Sequence, residues 1–151
     1  MQQEIVKSIR SYCAYQERSH AEVRIKLKEL GIYSKDAEGY IAYLIEENFL
    51  NEERYASSFA RGKFYVKKWG KVKIVYRLKQ QQISEYCIKK ALMEIDDNDY
   101  LLTMQHLAEK KKKEMPTSWS NSFKFLRVKN YLLQKGYALS DIIEGLNPKI
   151  E

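Results

Sequence analysis

Residues 18–32 read RSHAEVRIKLKELGI, and this stretch holds a helix start, a helix body and a helix stop. Ser19 and Glu22 have capping-box spacing, in which each side chain accepts a hydrogen bond from the backbone amide of the other residue. Val23 and Leu27 stand four positions apart, so they share one face of a helix. The closing Gly-Ile pair is typical of a left-handed C-cap whose last residue folds back onto the helix. The stretch therefore predicts one short amphipathic helix with defined ends.

The same phrase of two aliphatic residues and a C-cap recurs twice further along the chain. Its three copies are Val23, Leu27 and Gly31-Ile32; Ile74, Leu78 and Gln82-Ile83; and Val128, Leu132 and Gly136-Tyr137. They are offset by 51 and 54 residues, and self-similarity at such a period is typical of repeat architectures. We therefore expect an all-α fold of nine helices in three tandem three-helix repeats, residues 1–49, 50–97 and 98–151, with an elongated or arc-shaped outline.

Polar caps and helix breakers divide the rest of the chain. We expect N-caps at Ser34, Asn51, Ser84 and Ser140, and stops at Trp69-Gly70, Pro116 and Asn147-Pro148. The apolar positions predict that the fourth helix buries Tyr55, Phe59 and Val66. The same periodicity places Cys13 and Cys87 on apolar helix faces, where we expect buried reduced thiols.

The composition fits a small globular protein inside the cell. The chain has 151 residues and a mass of 18.0 kDa, with 44% apolar and 31% charged residues. Its apolar runs are too short for a membrane span, and a start that contains Glu4 and Lys7 is unlike a signal peptide. We therefore expect a cytoplasmic monomer with no membrane segment.

Positive charge is concentrated in the middle of the chain. The 31 residues from Arg54 to Ser84 contain nine Lys and Arg and no Asp or Glu, while the remaining 18 basic and 20 acidic residues leave a formal charge of −2. Such asymmetry predicts a polyanionic partner, either nucleic acid or a protein filament on nucleic acid. The predicted contact residues are Arg61, Lys63, Lys67, Lys68, Lys71, Lys73, Arg77 and Lys79.

Four aromatic residues are interleaved with these cations, namely Phe64, Tyr65, Trp69 and Tyr76. Aromatic rings beside basic residues can stack on exposed bases. An amphipathic helix must also bury some of its aromatics, so we expect most of the four to lie in the core.

No arrangement of residues predicts catalysis, a metal or a cofactor. The run Asp96-Asp97-Asn98-Asp99 lacks the glycine and the closing glutamate of a calcium loop, so we interpret it as a helix cap. His20 and His106 are the two histidines of the chain and lie far apart in sequence. His106 stands three residues before Glu109, a spacing that could bind a metal only with further ligands, and the sequence offers none. We therefore expect a protein that is not an enzyme.

The sequence resembles the RecX family of recombination regulators in three segments. These are Arg18-Ser19-His20-Ala21-Glu22 with Leu27 and Leu30-Gly31-Ile32; Leu50-Asn51-Glu52-Glu53-Arg54-Tyr55-Ala56; and Gly70 with Leu78 and Ile83. Together they cover most of residues 10 to 95. The chain departs from the family pattern at Asn51-Glu52, where a pair of aspartates is usual, and at Gln82, where glycine is usual.

The resemblance implies a protein that binds RecA and its filament on single-stranded DNA, blocks filament growth, and lowers ATP hydrolysis and strand exchange. The residues alone leave two alternatives open. A helix, a Gly-Ile turn and another helix also describe a helix-turn-helix module that binds DNA directly. A helical-repeat adaptor that binds some other protein is the second alternative.

Overall fold

The computed structural model describes residues 1–146, and nine α-helices lie within them. Their bounds are α1 Gln3–Tyr15, α2 His20–Glu29, α3 Ser34–Glu46, α4 Glu52–Arg61, α5 Lys71–Gln80, α6 Glu85–Leu92, α7 Asp97–Lys113, α8 Asn121–Lys135 and α9 Leu139–Leu146. A π-helical turn, Gly62–Val66, continues α4. No strand occurs in the described part, and the all-α prediction is confirmed. The predicted stop at Asn147-Pro148 lies outside the described residues.

Several predicted N-caps are present as hydrogen bonds to the first turn of a helix. The Glu22 amide donates to Ser19 Oγ at 3.0 Å, and the Ser19 amide donates to Glu22 Oε1 at 2.9 Å, which completes the capping box of α2. Asn51 Oδ1 accepts from the Arg54 amide at 2.8 Å. Ser84 Oγ likewise accepts from the Cys87 amide at 3.3 Å. These local rules therefore set three helix starts.

Two other predicted N-caps are wrong, by one position at Ser34 and by two positions at Ser140. Ser34 is already the first residue of α3, and Tyr33 precedes it without a side-chain capping bond. The last helix begins at Leu139, one residue before Ser140. Shifts of one or two residues are ordinary at helix ends.

The three copies of the repeated phrase fold alike. Each copy closes with a hydrogen bond across the helix end: Ile32 amide to Leu27 carbonyl at 2.8 Å, Ile83 to Leu78 at 3.1 Å, and Tyr137 to Leu132 at 3.0 Å. The residue before each donor has a positive φ, +87° at Gly31, +62° at Gln82 and +103° at Gly136. All three leucines are fully buried. The predicted left-handed C-caps are confirmed, including the one that uses glutamine.

Packing divides the chain into two compact units. Unit 1 comprises residues 1–59 and 77–91, and unit 2 comprises residues 60–76 together with the chain from residue 92 onward. The three-repeat boundaries at 1–49, 50–97 and 98–151 describe the sequence period and stay a prediction.

Unit 1 has a core built from α1, α2 and α3. Ile9, Val23, Leu27 and Leu44 are fully buried there, and Cys13 packs with them. Burial raises the pKa of the Cys13 thiol to about 11, which favours the protonated, unreactive form. Both cysteines are buried and free of a disulfide, as predicted.

The sequence pattern wrongly places one residue of the fourth predicted helix in the core. That residue lies in unit 2. Val66 is 73% exposed, whereas Phe64 is fully buried. The π-helical turn causes the exchange, because the Lys67 amide bonds to the carbonyl of Gly62, five residues back, at 3.3 Å. The wider turn moves the apolar face off the 3.6-residue period. Tyr55, earlier in α4, is buried as predicted, and Phe59 is half-buried.

Within residues 1–146, no helix combines the length and the apolar character needed to cross a membrane.

Candidate functional site

The structure brings six of the eight predicted contact residues into unit 2. These six are Arg61, Lys63, Lys67, Lys68, Lys71 and Lys73, whereas Arg77 and Lys79 belong to unit 1. Residues 60–76 and 92–146 carry 14 Lys and Arg against 8 Asp and Glu, a formal charge of +6, compared with 12 against 11 in unit 1. The charge excess of the chain therefore lies in unit 2. That these side chains contact a partner stays a prediction.

Arg61 and Lys71 have carboxylate partners among the described residues. Arg61 donates to Glu94 at 2.7 Å, and both side chains are about half exposed. Lys71 Nζ lies 3.8 Å from an Asp97 carboxylate oxygen and 4.6 Å from the centroid of the Tyr100 ring. Exposed pairs of this kind contribute about 0 to 1 kcal/mol to stability. With these carboxylates counted, the described part of unit 2 still has a formal charge of +6.

Two other lysines lie over one tryptophan, and we call Lys63, Lys73 and Trp69 the Trp69 cluster. Lys73 Nζ lies 4.4 Å and Lys63 Nζ 4.8 Å from the centroid of the half-buried Trp69 ring. Lys135 on α8 donates to the Lys67 carbonyl of the loop that carries Trp69, and burial and then the nearby charge of Lys73 lower the pKa of its ammonium. Cations over an indole face are attracted by the ring quadrupole, which holds the amines near the ring.

Side chains of unit 2 hold the loop that carries Trp69. Three hydrogen bonds reach its backbone: Tyr137 Oη to the Lys68 carbonyl at 2.9 Å, Lys135 Nζ to the Lys67 carbonyl at 3.1 Å, and the Lys71 amide to Tyr100 Oη at 2.8 Å. Lys68 itself has a φ of +63°, a conformation that costs about 1 kcal/mol for a residue with a side chain. Fixed backbone on both sides of Trp69 therefore limits where its ring can go.

Two glycines make the close approach that positions the loop. The Gly70 amide donates to the Lys135 carbonyl at 2.8 Å, and the Val72 amide donates to the Gly136 carbonyl at 2.9 Å. A Cβ on Gly70 would lie 2.3 Å from the carbonyl carbon and oxygen of Gly136, closer than real Cβ atoms come to backbone. A Cβ on Gly136 would lie 2.4 Å from the Cβ of Lys73. The third copy of the repeated C-cap thus brings the end of α8 against the start of α5.

An aromatic row lies under this loop. The Tyr100 ring is 5.4 Å from the Phe64 ring and 5.1 Å from the Tyr137 ring, centroid to centroid. Burial raises the pKa of Tyr100 to about 12, and it also raises the pKa of Tyr137. Both phenols therefore stay neutral at physiological pH and keep the protons that their hydrogen bonds require.

The four interleaved aromatics have different surroundings, and the expectation that most are core is wrong. Phe64 alone among them is fully buried. Tyr65 is 40% exposed, and its hydroxyl bonds to the Asp99 carboxylate at 2.8 Å and to the Asp96 amide at 3.3 Å. Tyr76 is 61% exposed.

The acidic run before α7 acts as a helix cap. Asp96 Oδ2 accepts from the Asp99 amide at 2.9 Å, as interpreted from the sequence. In the part of the chain that the structure describes, no three His, Cys, Asp or Glu side chains are placed to share a metal ion.

Lys135 is the site residue that sequence reasoning missed. It lies more than 60 residues from Lys73 along the chain, in α8, which has four cations and no carboxylate. Two signals were therefore available: this second acid-free stretch, and the position of Lys135 directly before Gly136, because the repeated C-cap brings that backbone against the loop. Recognising it required the tertiary contact, which a local pattern does not contain.

A family model described as "RecX, second three-helix domain" matches residues 51–92. This match falls within residues 50–97, the second of the three predicted sequence repeats. It includes all eight predicted contact residues.

Two relatives and one solved structure show the extent of the similarity. Regulatory protein RecX of Clostridium acetobutylicum is 31% identical over 132 residues, which cover 85% of this chain and 61% of that protein. Regulatory protein RecX of Shigella dysenteriae serotype 1 is 29% identical over 139 residues, with 85% and 81% covered. The crystal structure of RecX from Lactobacillus salivarius superposes with a TM-score of 0.86 at 26% identity, covering 96% of this chain and 94% of that one. This chain therefore spans about three fifths of the clostridial relative and most of the other two.

Proposed function

The chain belongs to the RecX family, and from this premise we propose that it regulates a RecA recombinase. In this proposal it binds RecA filaments on single-stranded DNA and limits filament extension, ATP hydrolysis and strand exchange. It acts in the cytoplasm as a monomer, without a cofactor and without catalysis of its own.

The observation that carries the proposal is the location of positive charge. Residues 60–76 contain six cations and no carboxylate, and they are anchored to the rest of unit 2 by hydrogen bonds and by the contact between Gly70 and Gly136. A nucleoprotein filament carries closely spaced phosphates, so a fixed cationic surface is complementary to it. The similarity to regulatory proteins supplies the partner, and the charge supplies a means of attachment.

Attachment by charge has two consequences for regulation. Complementary potentials raise the rate of encounter, so the protein can reach a filament end while the filament is still growing. Affinity then falls with salt, with a log-log slope of about −0.7 for each phosphate engaged on single-stranded DNA. A protein held at this position would occlude the surface that the next RecA subunit needs.

Charge reversal tests the proposal in a filament-growth assay on single-stranded DNA. A Lys67→Glu, Lys73→Glu double variant should need at least about tenfold more protein to halve the growth rate of RecA filaments, because two attractive contacts become repulsive. The matched control is Lys28→Glu with Lys35→Glu, which changes the net charge equally at two exposed positions of unit 1. Equal inhibition by both double variants would contradict the role of unit 2.

The same experiment separates the two alternatives. DNA binding without any effect on RecA would indicate a helix-turn-helix module. Indifference to both DNA and RecA would indicate an adaptor for another protein.

A further inference from the structure

We infer that the outward face of α8 docks into an apolar groove of RecA whose rim carries carboxylates. The inference rests on the proposed function for the identity of the partner. It assigns a contact surface that lies outside the acid-free stretch of residues 54–84. The contact is made with the protein subunits of the filament and not with its DNA.

An apolar row lies on the outward face of α8. Phe123, Leu126 and Leu133, which we call the α8 stripe, are 40%, 42% and 41% exposed. Together with the exposed Asn130, they occupy positions i, i+3, i+7 and i+10, which follow one side of a helix. Val128 lies on the opposite side and is buried in unit 2. The helix is therefore apolar on the face that packs inside the unit and again on the face that meets solvent.

The outer row of the neighbouring helix α7 has a different character. Leu102, His106, Glu109 and Lys113 have the same kind of spacing and are all exposed, and three of the four are polar or charged. Single exposed apolar residues of this kind are ordinary on protein surfaces. Three apolar residues in one helical row are typical of a helix that lies in the apolar groove of a partner.

Positive charge surrounds the α8 stripe. The helix has no carboxylate and four cations, namely Lys124, Arg127, Lys129 and Lys135. In a regular helix Arg127 and Lys129 flank the stripe on opposite sides. Residues 110–135 as a whole carry eight cations against the single carboxylate of Glu114. A partner with carboxylates around an apolar groove complements both the charge and the stripe.

Three side chains near the start of α8 already hold one another. The rings of Trp119 and Phe123 meet edge to face with centroids 4.7 Å apart. The guanidinium carbon of Arg127 lies 5.8 Å from the Trp119 centroid and 5.9 Å from the Phe123 centroid. Aromatic residues and arginine are enriched in the centres of protein interfaces. Their mutual contacts also reduce the side-chain freedom that binding would remove.

The leucines favour a protein partner over nucleic acid. An aromatic ring can stack on a base, but Leu126 and Leu133 have no flat face, and a phosphate backbone offers them no apolar contact. Removing them from water requires another apolar surface. A second copy of the chain would supply one, but a symmetric contact would bring the cations of one α8 against those of the other. An acidic groove on a different protein avoids that repulsion.

Surface plasmon resonance with immobilised RecA, without DNA, tests the inference. The Leu126→Ser, Leu133→Ser variant keeps every charge and should bind at least about tenfold more weakly, mainly through faster dissociation. The matched control, Val66→Ser with Leu102→Ser, removes two exposed apolar side chains elsewhere in unit 2 and should bind like the wild type. Equal affinities of the two double variants would overturn the inference.

A conservative variant excludes a general effect on the fold. Leu126→Met with Leu133→Met keeps the stripe apolar and should retain the wild-type affinity, because methionine fills a similar volume. Circular dichroism should give the same helix content for all three double variants. Weak binding by the methionine variant, at unchanged helix content, would contradict a contact made through apolar surface.

Arg127→Gln measures the charge separately. It should slow association and flatten the salt dependence of the association rate, with little change in dissociation, because a charge at the edge of an interface acts mainly on encounter. Lys28→Gln, at an exposed position of α2, removes the same charge in unit 1 and should keep the wild-type association rate. The same association rate in both variants would overturn the carboxylate rim.

Binding to oligo-dT without RecA examines the other class of ligand. The Leu126→Ser, Leu133→Ser variant should keep the wild-type affinity for oligo-dT. A loss for oligo-dT as large as the loss for RecA would overturn the inference and indicate that this face contacts nucleic acid.

Failure of the inference is distinguishable from failure of the proposed function. A wild-type protein that does not bind RecA would contradict both. A wild-type protein that inhibits RecA, with equal inhibition by the Leu126→Ser, Leu133→Ser variant, would overturn this inference alone.

Discussion

Replacing Gln82 by glycine should stabilise the protein, because Gln82 closes α5 in a left-handed conformation that favours glycine. Its φ is +62°, and the amide of the next residue completes the C-cap with a hydrogen bond to Leu78. The other two copies of the same cap have glycine at this position, namely Gly31 and Gly136. The same left-handed cap therefore occurs three times in this chain, twice with glycine and once with glutamine.

The magnitude follows from two opposing terms. A left-handed residue with a Cβ costs about 1 to 2 kcal/mol, and the change to glycine removes that cost. Glycine also adds freedom to the unfolded chain, which costs about 0.4 to 1 kcal/mol. The Gln82→Gly variant should therefore gain about 0.5 to 1 kcal/mol, or about 1 to 4 °C in Tm for a chain of this size.

The two glycine sites supply the controls. A Cβ at Gly31 would meet no atom within 4 Å, so Gly31→Ala should lose about as much as Gln82→Gly gains. A Cβ at Gly136 would lie 2.4 Å from the Cβ of Lys73, so Gly136→Ala should lose distinctly more, roughly 2 kcal/mol or more.

Urea unfolding followed by circular dichroism at 222 nm gives the change in the free energy of unfolding of each variant from the shift of its midpoint. The reasoning predicts a gain, a small loss and a large loss for Gln82→Gly, Gly31→Ala and Gly136→Ala, in that order. A lower stability of Gln82→Gly, or equal losses for the two glycine variants, would refute it.

Three more predictions concern burial, the loop and pH. Phe64→Ala should lose about 3 to 5 kcal/mol in urea unfolding, whereas Val66→Ser should stay within about 0.5 kcal/mol, and comparable losses would contradict the π-helical turn. Tyr137→Phe should lose about 1 kcal/mol, because the Lys68 carbonyl loses its hydrogen bond, and amide exchange in residues 67–71 should accelerate; unchanged exchange would count against the role of that bond. Burial raises the pKa of Tyr55 to about 12 while the unfolded phenol ionises near 10, so its stabilising effect is complete below pH 10 and is lost as pH rises through 12. Midpoints measured between pH 8 and 11 should fall less steeply in Tyr55→Phe, and an identical fall would contradict this sign.

Local sequence signals predicted the helix ends well where one side chain or one glycine determines the geometry. Ser19 with Glu22, Asn51 and Ser84 cap their helices as expected, because a cap needs only residues within one turn. The repeated C-cap was likewise readable from sequence at Gly31 and Gly136, whereas glutamine at position 82 left a different helix end open, and the structure shows the left-handed cap there too.

Prediction failed where the structure departs from a regular period. The 3.6-residue spacing assigned Val66 to the core, but the π-helical turn moves Phe64 there instead. The turn is compatible with the contact of Phe64 with the Tyr100 ring, 5.4 Å away, and that contact joins residues 36 positions apart. A periodicity argument within one helix contains no information about such a partner.

The sequence predicted part of the candidate site and missed the part that depends on a tertiary contact. The charge run identified Lys63 and Lys73, since both lie in the acid-free stretch. Lys135 joins them only because Gly70 and Gly136 allow two backbone segments to meet. Charge counts locate a surface along the chain, whereas tertiary packing decides which amines share it.

The rate of ATP hydrolysis by RecA on single-stranded DNA tests the central claim most directly. The protein is titrated into the reaction, and its binding to the same DNA without RecA is measured in parallel. A regulator of RecA should inhibit hydrolysis at concentrations well below those that cover the naked DNA, and the Lys67→Glu, Lys73→Glu variant should require more protein for the same effect. No inhibition, or inhibition only at concentrations where the DNA is already covered, would contradict the account.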